Sequence, residues 1–151
     1  MSDFVEAANV LVNQGAATRE EALSLISDKA VELGVAHDAK ALCQDFLARE
    51  AMGETGMTDG FAIPHAKSAA VDRAAIVVFK NRLPLKWPSF DEKPIHTAIA
   101  IMVPESEEGT EHIRLLSRTA ELLMNSGFKN LVAGSSDPAQ IAAAVNDGIS
   151  K

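Results

Sequence analysis

Two stretches constrain the fold more than any other part of the chain: residues 74–79, Ala-Ala-Ile-Val-Val-Phe, and residues 97–103, Thr-Ala-Ile-Ala-Ile-Met-Val. Both are short, rich in β-branched residues and nearly continuously apolar. A strand with one face in water alternates apolar and polar side chains, so a run without alternation describes a strand covered on both faces. The two segments are therefore expected at the centre of a sheet, and the rest of the chain has to supply two covering layers.

Helical patterns of the right kind surround them. Thr18 and Glu21 have capping-box spacing, and Ala22, Leu25, Ile26, Ala30 and Leu33 follow at helical intervals until Gly34. Asp38 is placed to cap a second helix, with Leu42, Phe46 and Leu47 as its apolar stripe, ending close to Arg49 before Gly53 and Gly56. Thr110 opens a third helix, whose buried face is Ile113, Leu115, Leu116, Ala120, Leu122 and Leu123 and which is expected to end near Gly127. Asp137 and Pro138 supply an N-cap and a first helical residue for a last helix to about Asn146. A β-like stretch lies at residues 9–13, and residues 83–94, with three prolines, read as an irregular loop. Helices interleaved with buried strands imply a layered α/β fold with helices on both sides of a sheet. The 151 residues fit one domain, and no repeat or linker divides them.

Charge narrows the partners. The formal net charge of −7 gives a negative field that argues against nucleic acid or an anionic membrane surface and is compatible with a basic protein partner. No apolar run approaches the roughly 20 residues needed to cross a bilayer, and the first residues lack the basic patch and apolar stretch of a secretory signal, so a cytoplasmic location is expected. The single cysteine, Cys43, falls on the apolar side of the second helix and reads as a small buried hydrophobe.

The stretch richest in chemistry runs from Arg49-Glu50 through Thr55-Gly56 to Gly60-Phe-Ala-Ile-Pro-His65. Pro64 fixes its own φ and biases Ile63 toward extended geometry, so His65 is presented from stiff backbone. A histidine is a nucleophile only when neutral, and only through the nitrogen without a proton, so a hydrogen bond at the other nitrogen has to set the tautomer. The alternative for His65 is an exposed polar residue ending an edge strand. His112 lies in the first turn of the third helix, where unpaired N–H groups and the helix dipole suit a phosphate; a solvent-facing residue at a helix terminus is an equal alternative. Arg49 at a helix C-terminus is explained by the dipole alone, or it is a guanidinium clamp for phosphate oxygens. His37 and His96 read as ordinary surface or strand-edge residues, and Trp87 and Phe90 as core plugs beneath the proline-rich loop. No phosphate-binding loop, dinucleotide fingerprint or nucleophile elbow is present. Phosphate handled by such a chain would come from another protein.

Arg49-Glu50, Thr55-Gly56, Gly60-Phe-Ala-Ile-Pro-His65 and the helix start Glu111-His112-Ile-Arg-Leu-Leu116 together resemble the fructose/mannitol-type (type 2) EIIA proteins of the bacterial phosphoenolpyruvate-dependent sugar phosphotransferase system. The resemblance runs almost end to end. It implies a mixed β-sheet flanked by α-helices on both sides in a single three-layer domain covering residues 1–151. It also implies that His65 accepts a phosphoryl group from the carrier HPr and passes it to a cysteine of a IIB protein or domain, in concert with a membrane IIC component. By the same resemblance His112 and Arg49 stabilise the phosphoryl group, and neither a metal nor another cofactor is needed. Access for two partners calls for a shallow depression with an apolar surround, for which Phe61 and Met57 are candidates. Fructose is the default sugar, with mannitol and other polyols open. Two other classes remain: a regulatory IIA protein whose phosphorylation controls a binding partner, and a metal-dependent hydrolase with His65 and His112 as ligands.

Overall fold

The computed structural model describes residues 5–106 and 110–150, with side chains described for 5–106 and 113–149. The two apolar runs become the antiparallel centre of the sheet, β4 (Ala75–Leu85) and β5 (Ile95–Pro104), after β1 (Val10–Gln14), β2 (Phe61–Ala62) and β3 (His65–Ser68). β1 lies parallel on the outer side of β4, while β2 and β3 both run parallel beside β5. Alternation then sends Val77, Phe79, Ala98, Ala100 and Met102 into one core and Ile76, Val78, Ile99 and Ile101 into the other. The doubly covered centre read from the sequence is thus the observed one, in a mixed sheet between two helical layers.

One layer is α1 (Arg19–Glu32) and α2 (Ala39–Met52), which bury Ala22, Leu23, Ile26, Ala30, Leu42 and Phe46 against the first core. Both begin at the caps expected: Thr18 Oγ1 accepts from the Glu21 N–H at 3.0 Å and Asp38 Oδ1 from the Ala41 N–H at 3.1 Å. The other layer is α3 (Thr110–Leu122), α4 (Ser126–Gly134) and α5 (Pro138–Ser150), which contribute Leu115, Phe128, Val132, Ile141 and Val145 to the second core.

Four boundaries differ from the sequence expectation. α2 runs on to Met52, which places Arg49 within its last turn instead of at its end. β4 continues through Leu85, taking in the start of the proline-rich segment; Pro84 falls where the β4–β5 register shifts, so its missing N–H costs no ladder bond. Asn125 Oδ1 accepts from the Phe128 N–H at 2.9 Å and starts α4, so Gly127 opens a helix instead of closing one. α5 extends past Asn146 to Ser150.

The edge beside β5 carries the histidine. Phe61 pairs with Thr97 and His65 with Ile101, the same offset on both sides of Pro64, so β2 and β3 are one edge strand interrupted at residues 63–64. Pro64 has no N–H to donate, yet its carbonyl still accepts from the Ile101 N–H at 2.9 Å. The outer side of β2 is closed by the segment following α2: Ile63 N–H donates to Thr55 O at 2.9 Å, and Met57 N–H to Phe61 O at 2.7 Å.

Candidate functional site

His65 is 8% exposed and lies at the start of β3, paired in register with Ile101. Its Nδ1 is 2.9 Å from the carbonyl oxygen of Ile63. A carbonyl only accepts, so Nδ1 carries the proton. Arg49 Nε, a permanent donor, stands 3.0 Å from Nε2, and a donor facing Nε2 requires a lone pair there. Two independent contacts therefore specify the same state, a neutral imidazole protonated on Nδ1 with its lone pair on Nε2. Arg49 is steadied in turn by the bond from its Nη1 to Gly53 O at 2.9 Å. The proximity of Arg49 and His65, which no local pattern in the sequence reveals, follows from α2 packing along β3 while the segment after it folds back on β2.

His112 is in the first turn of α3, and its side chain lies outside the described residues. The helix that carries it packs on the face of the sheet that includes the partner of His65: Leu115 shares a core cluster with Ile63 and Ile101.

Sequence reasoning gave Glu50 no role, and the structure gives it a central place. Its carboxylate is buried, accepting from Thr55 Oγ1 at one oxygen and from Trp87 Nε1 at the other, the latter at 3.1 Å. The Arg19 guanidinium stands 3.9 Å from the second oxygen. A buried carboxylate with two hydrogen-bond donors and a guanidinium nearby has its charge compensated, whereas an unpaired one is very costly. The available signal was the pair Glu50 and Thr55 bracketing a helix end; the contributions of Trp87 and Arg19 are non-local.

Two glycines let the site close. Gly56 is bridged to Ala62 on one side and Ser89 on the other, and a Cβ there would lie 2.3 Å from Pro88 O. Gly60 has φ +85°, and a Cβ would meet the His96 ring at 2.3 Å. His96 is consequently half-buried, edge-on to Phe61 at 5.3 Å between ring centroids, and desolvation lowers its pKa below the ordinary histidine value. It is a half-buried residue near the start of β5, an inner strand of the sheet, and so neither the surface nor the strand-edge residue expected. His37 does lie at the surface, 2.9 Å from Asp72 Oδ1.

Other expectations divide. Cys43 is half-buried in the α1–α2 layer, and burial raises its thiol pKa. Trp87 is buried as expected, but Phe90 is 81% exposed because its loop turns it outward. Phe61 cannot rim the site, since its side chain is sunk in the second core, and Met57 packs against that core half-buried. Met52, the last residue of α2, and Ile113, in α3, are among the exposed large apolar residues. Among the described residues no group of three or more His, Cys, Asp or Glu could hold a metal, and no helix is long and apolar enough to cross a membrane.

The family model described as "Phosphoenolpyruvate-dependent sugar phosphotransferase system, EIIA 2" matches residues 3–148. Among curated relatives, the fructose-specific EIIA component of Haloferax volcanii is 31% identical over 113 residues, covering 75% of this chain and 73% of the relative. The 2-O-alpha-mannosyl-D-glycerate-specific EIIABC component of Escherichia coli is 28% identical over 131 residues; these cover 86% of this chain but only 20% of that much longer protein. A nitrogen regulatory protein of Bradyrhizobium diazoefficiens is 26% identical over 137 residues, covering 91% and 88%. In structure, the nitrogen regulatory protein IIA-Ntr of Neisseria meningitidis superposes with a TM-score of 0.86 at 20% identity, covering 94% of this chain and 96% of that one. Escherichia coli IIA mannitol, solved in complex with phosphorylated IIB mannitol, gives 0.77 at 18% identity, covering 93% and 96%. A match to nearly all of the chain, carried on the same layered sheet, establishes that it belongs to the EIIA 2 family of the phosphoenolpyruvate-dependent sugar phosphotransferase system.

Proposed function

We propose that the chain is a phosphocarrier in which His65 Nε2 takes a phosphoryl group from the phosphohistidine of HPr and passes it to a cysteine of a IIB protein. The observation that carries this is the pair of contacts on the ring, Nδ1 at 2.9 Å from Ile63 O and Nε2 at 3.0 Å from Arg49 Nε, which together favour a proton on Nδ1 and a nucleophilic lone pair on Nε2. In the first transfer the Nε2 lone pair forms a bond to phosphorus while the donor's P–N bond breaks, its electron pair returning to the donor ring. In the second, the acceptor thiolate forms a P–S bond, and the pair of the breaking P–N bond returns to Nε2. The Nδ1 proton stays in place throughout. Such transfers need positioning and charge stabilisation more than covalent help from the protein.

Arg49 has a part in both. Once Nε2 is phosphorylated its lone pair is used, and the guanidinium transfers its hydrogen bonds to the phosphoryl oxygens. His112, in the first turn of α3, supports the same oxygens where helix N–H groups favour an anion. Residues 1–151 act together as one IIA domain in the cytoplasm, serving fructose- or mannitol-class uptake with a membrane IIC component. Incubation with phosphoenolpyruvate, enzyme I and HPr tests the first step, and addition of a purified fructose- or mannitol-type IIB tests the second. Phosphoryl transfer to the IIB cysteine supports uptake.

A regulatory role is the second reading, favoured by the near full-length match to a protein named for nitrogen regulation. A chain that becomes phosphorylated on His65 yet transfers to none of the IIB types offered would decide for it.

A further inference from the structure

We propose that Glu50 is the positioning residue of the His65 site, holding both the main chain that sets the ring tautomer and the helix end that brings Arg49 to the ring. This rests on His65 being the phosphorylated residue. The Glu50 side chain is 1% exposed, and its carboxylate ties three parts of the chain to the end of α2: Thr55, Trp87 and Arg19. From Thr55 the connection passes through the main chain. Thr55 O accepts from Ile63 N–H at 2.9 Å, and Ile63 O accepts the Nδ1–H of His65 at 2.9 Å. On the other side, Arg49 directly precedes Glu50 in the last turn of α2 and reaches Nε2 at 3.0 Å. The two nitrogens of one imidazole are thus both referred to a single buried carboxylate.

The consequence is chemical as well as structural. If the Glu50–Thr55 bond is lost, Thr55 O no longer fixes the Ile63 peptide, and Ile63 O is released from Nδ1. The ring can then carry its proton on Nε2, where the phosphorus has to bond, and such a ring cannot attack through that nitrogen. Arg49 loses its alignment in the same event, because the helix end that carries it is no longer tied to Thr55 and Trp87. A merely structural carboxylate would change stability and leave the tautomer alone.

The experiment compares Glu50→Ala, Glu50→Gln and Thr55→Val with the parent chain. Nitrogen chemical shifts of the His65 ring, recorded on unphosphorylated protein with no donor present, report the tautomer. Initial rates of phosphorylation by HPr, as a function of its concentration, separate kcat from KM. Glu50→Ala and Thr55→Val are expected to populate the Nε2–H tautomer and to lower kcat about 10-fold or more, with KM changed less than about 2-fold. Glu50→Gln is expected to restore the Nδ1–H tautomer and most of the rate, since its amide can accept from Trp87 and donate to Thr55 Oγ1. Should Glu50→Ala fail to fold, Thr55→Val carries the comparison with the carboxylate in place. A folded Glu50→Ala or Thr55→Val chain with the parent tautomer and rate would overturn the proposal. A parent chain that takes up no phosphoryl group would refute the phosphocarrier role, while the tautomer comparison would still decide the role of Glu50.

Discussion

Arg49 Nε lies 3.0 Å from His65 Nε2, the nitrogen left bare when Ile63 O holds the proton on Nδ1. The guanidinium donates to the lone pair of the resting ring, and in the proposed function it donates to a phosphoryl group on the same atom.

Arg49→Ala removes the donor to Nε2 and, with it, the charge that the proposed function directs to the phosphoryl oxygens. By analogy with the loss of one donor to a developing anion, its transfer rate is expected to fall about 10²- to 10³-fold. Arg49 is half-buried, so the variant is expected to fold. Arg49→Lys should recover only part of the rate, because a point charge cannot reproduce the fork. Rapid-quench measurement of phosphoryl transfer, alongside circular dichroism, checks both statements.

The closure behind the site should be intolerant of added atoms. Gly56→Ala drives a methyl group against Pro88 O, a backbone atom with little freedom to move, and is expected to cost about 1–3 kcal/mol. Gly60→Ala adds the strain of φ +85° to a clash with His96 and is expected to cost about 2–4 kcal/mol. Urea denaturation of the two variants gives the comparison, and an unchanged midpoint for Gly60→Ala would contradict the packing described.

Stability should also depend on pH through His96. Burial lowers its folded pKa below the ordinary 6.5, so between the two values the unfolded chain binds more protons and stability rises with pH. The contribution is fully present above about 6.5 and is lost as the pH falls from there through the folded value. Denaturation midpoints are therefore expected to drop on acidification through this window, with a smaller drop in His96→Gln.

How much of this was legible varies with how local the cause is. The runs in β4 and β5 announced themselves because a strand covered on both faces has no polar alternation to obscure it. Thr18 and Asp38 cap their helices within three residues of themselves, a distance at which sequence spacing is geometry. α4 was missed because Gly127 outweighed the capping side chain of Asn125, two positions earlier. At the site, the stiffness of Ile63-Pro64-His65 was readable, but the tautomer depends on where Ile63 O points, and the meeting with Arg49 spans 16 residues. Glu50 was the least legible. An acidic residue at a helix end ordinarily points to water, and only the fold shows that Trp87, 37 residues on, donates to it.

The most direct test of the central claim is mass spectrometry of the chain after incubation with phosphoenolpyruvate, enzyme I and HPr. One acid-labile phosphoryl group mapped to His65, absent from a folded His65→Ala variant, is the expected result. Undiminished phosphoryl uptake by that variant, or a phosphoryl group mapped to another residue, would contradict it.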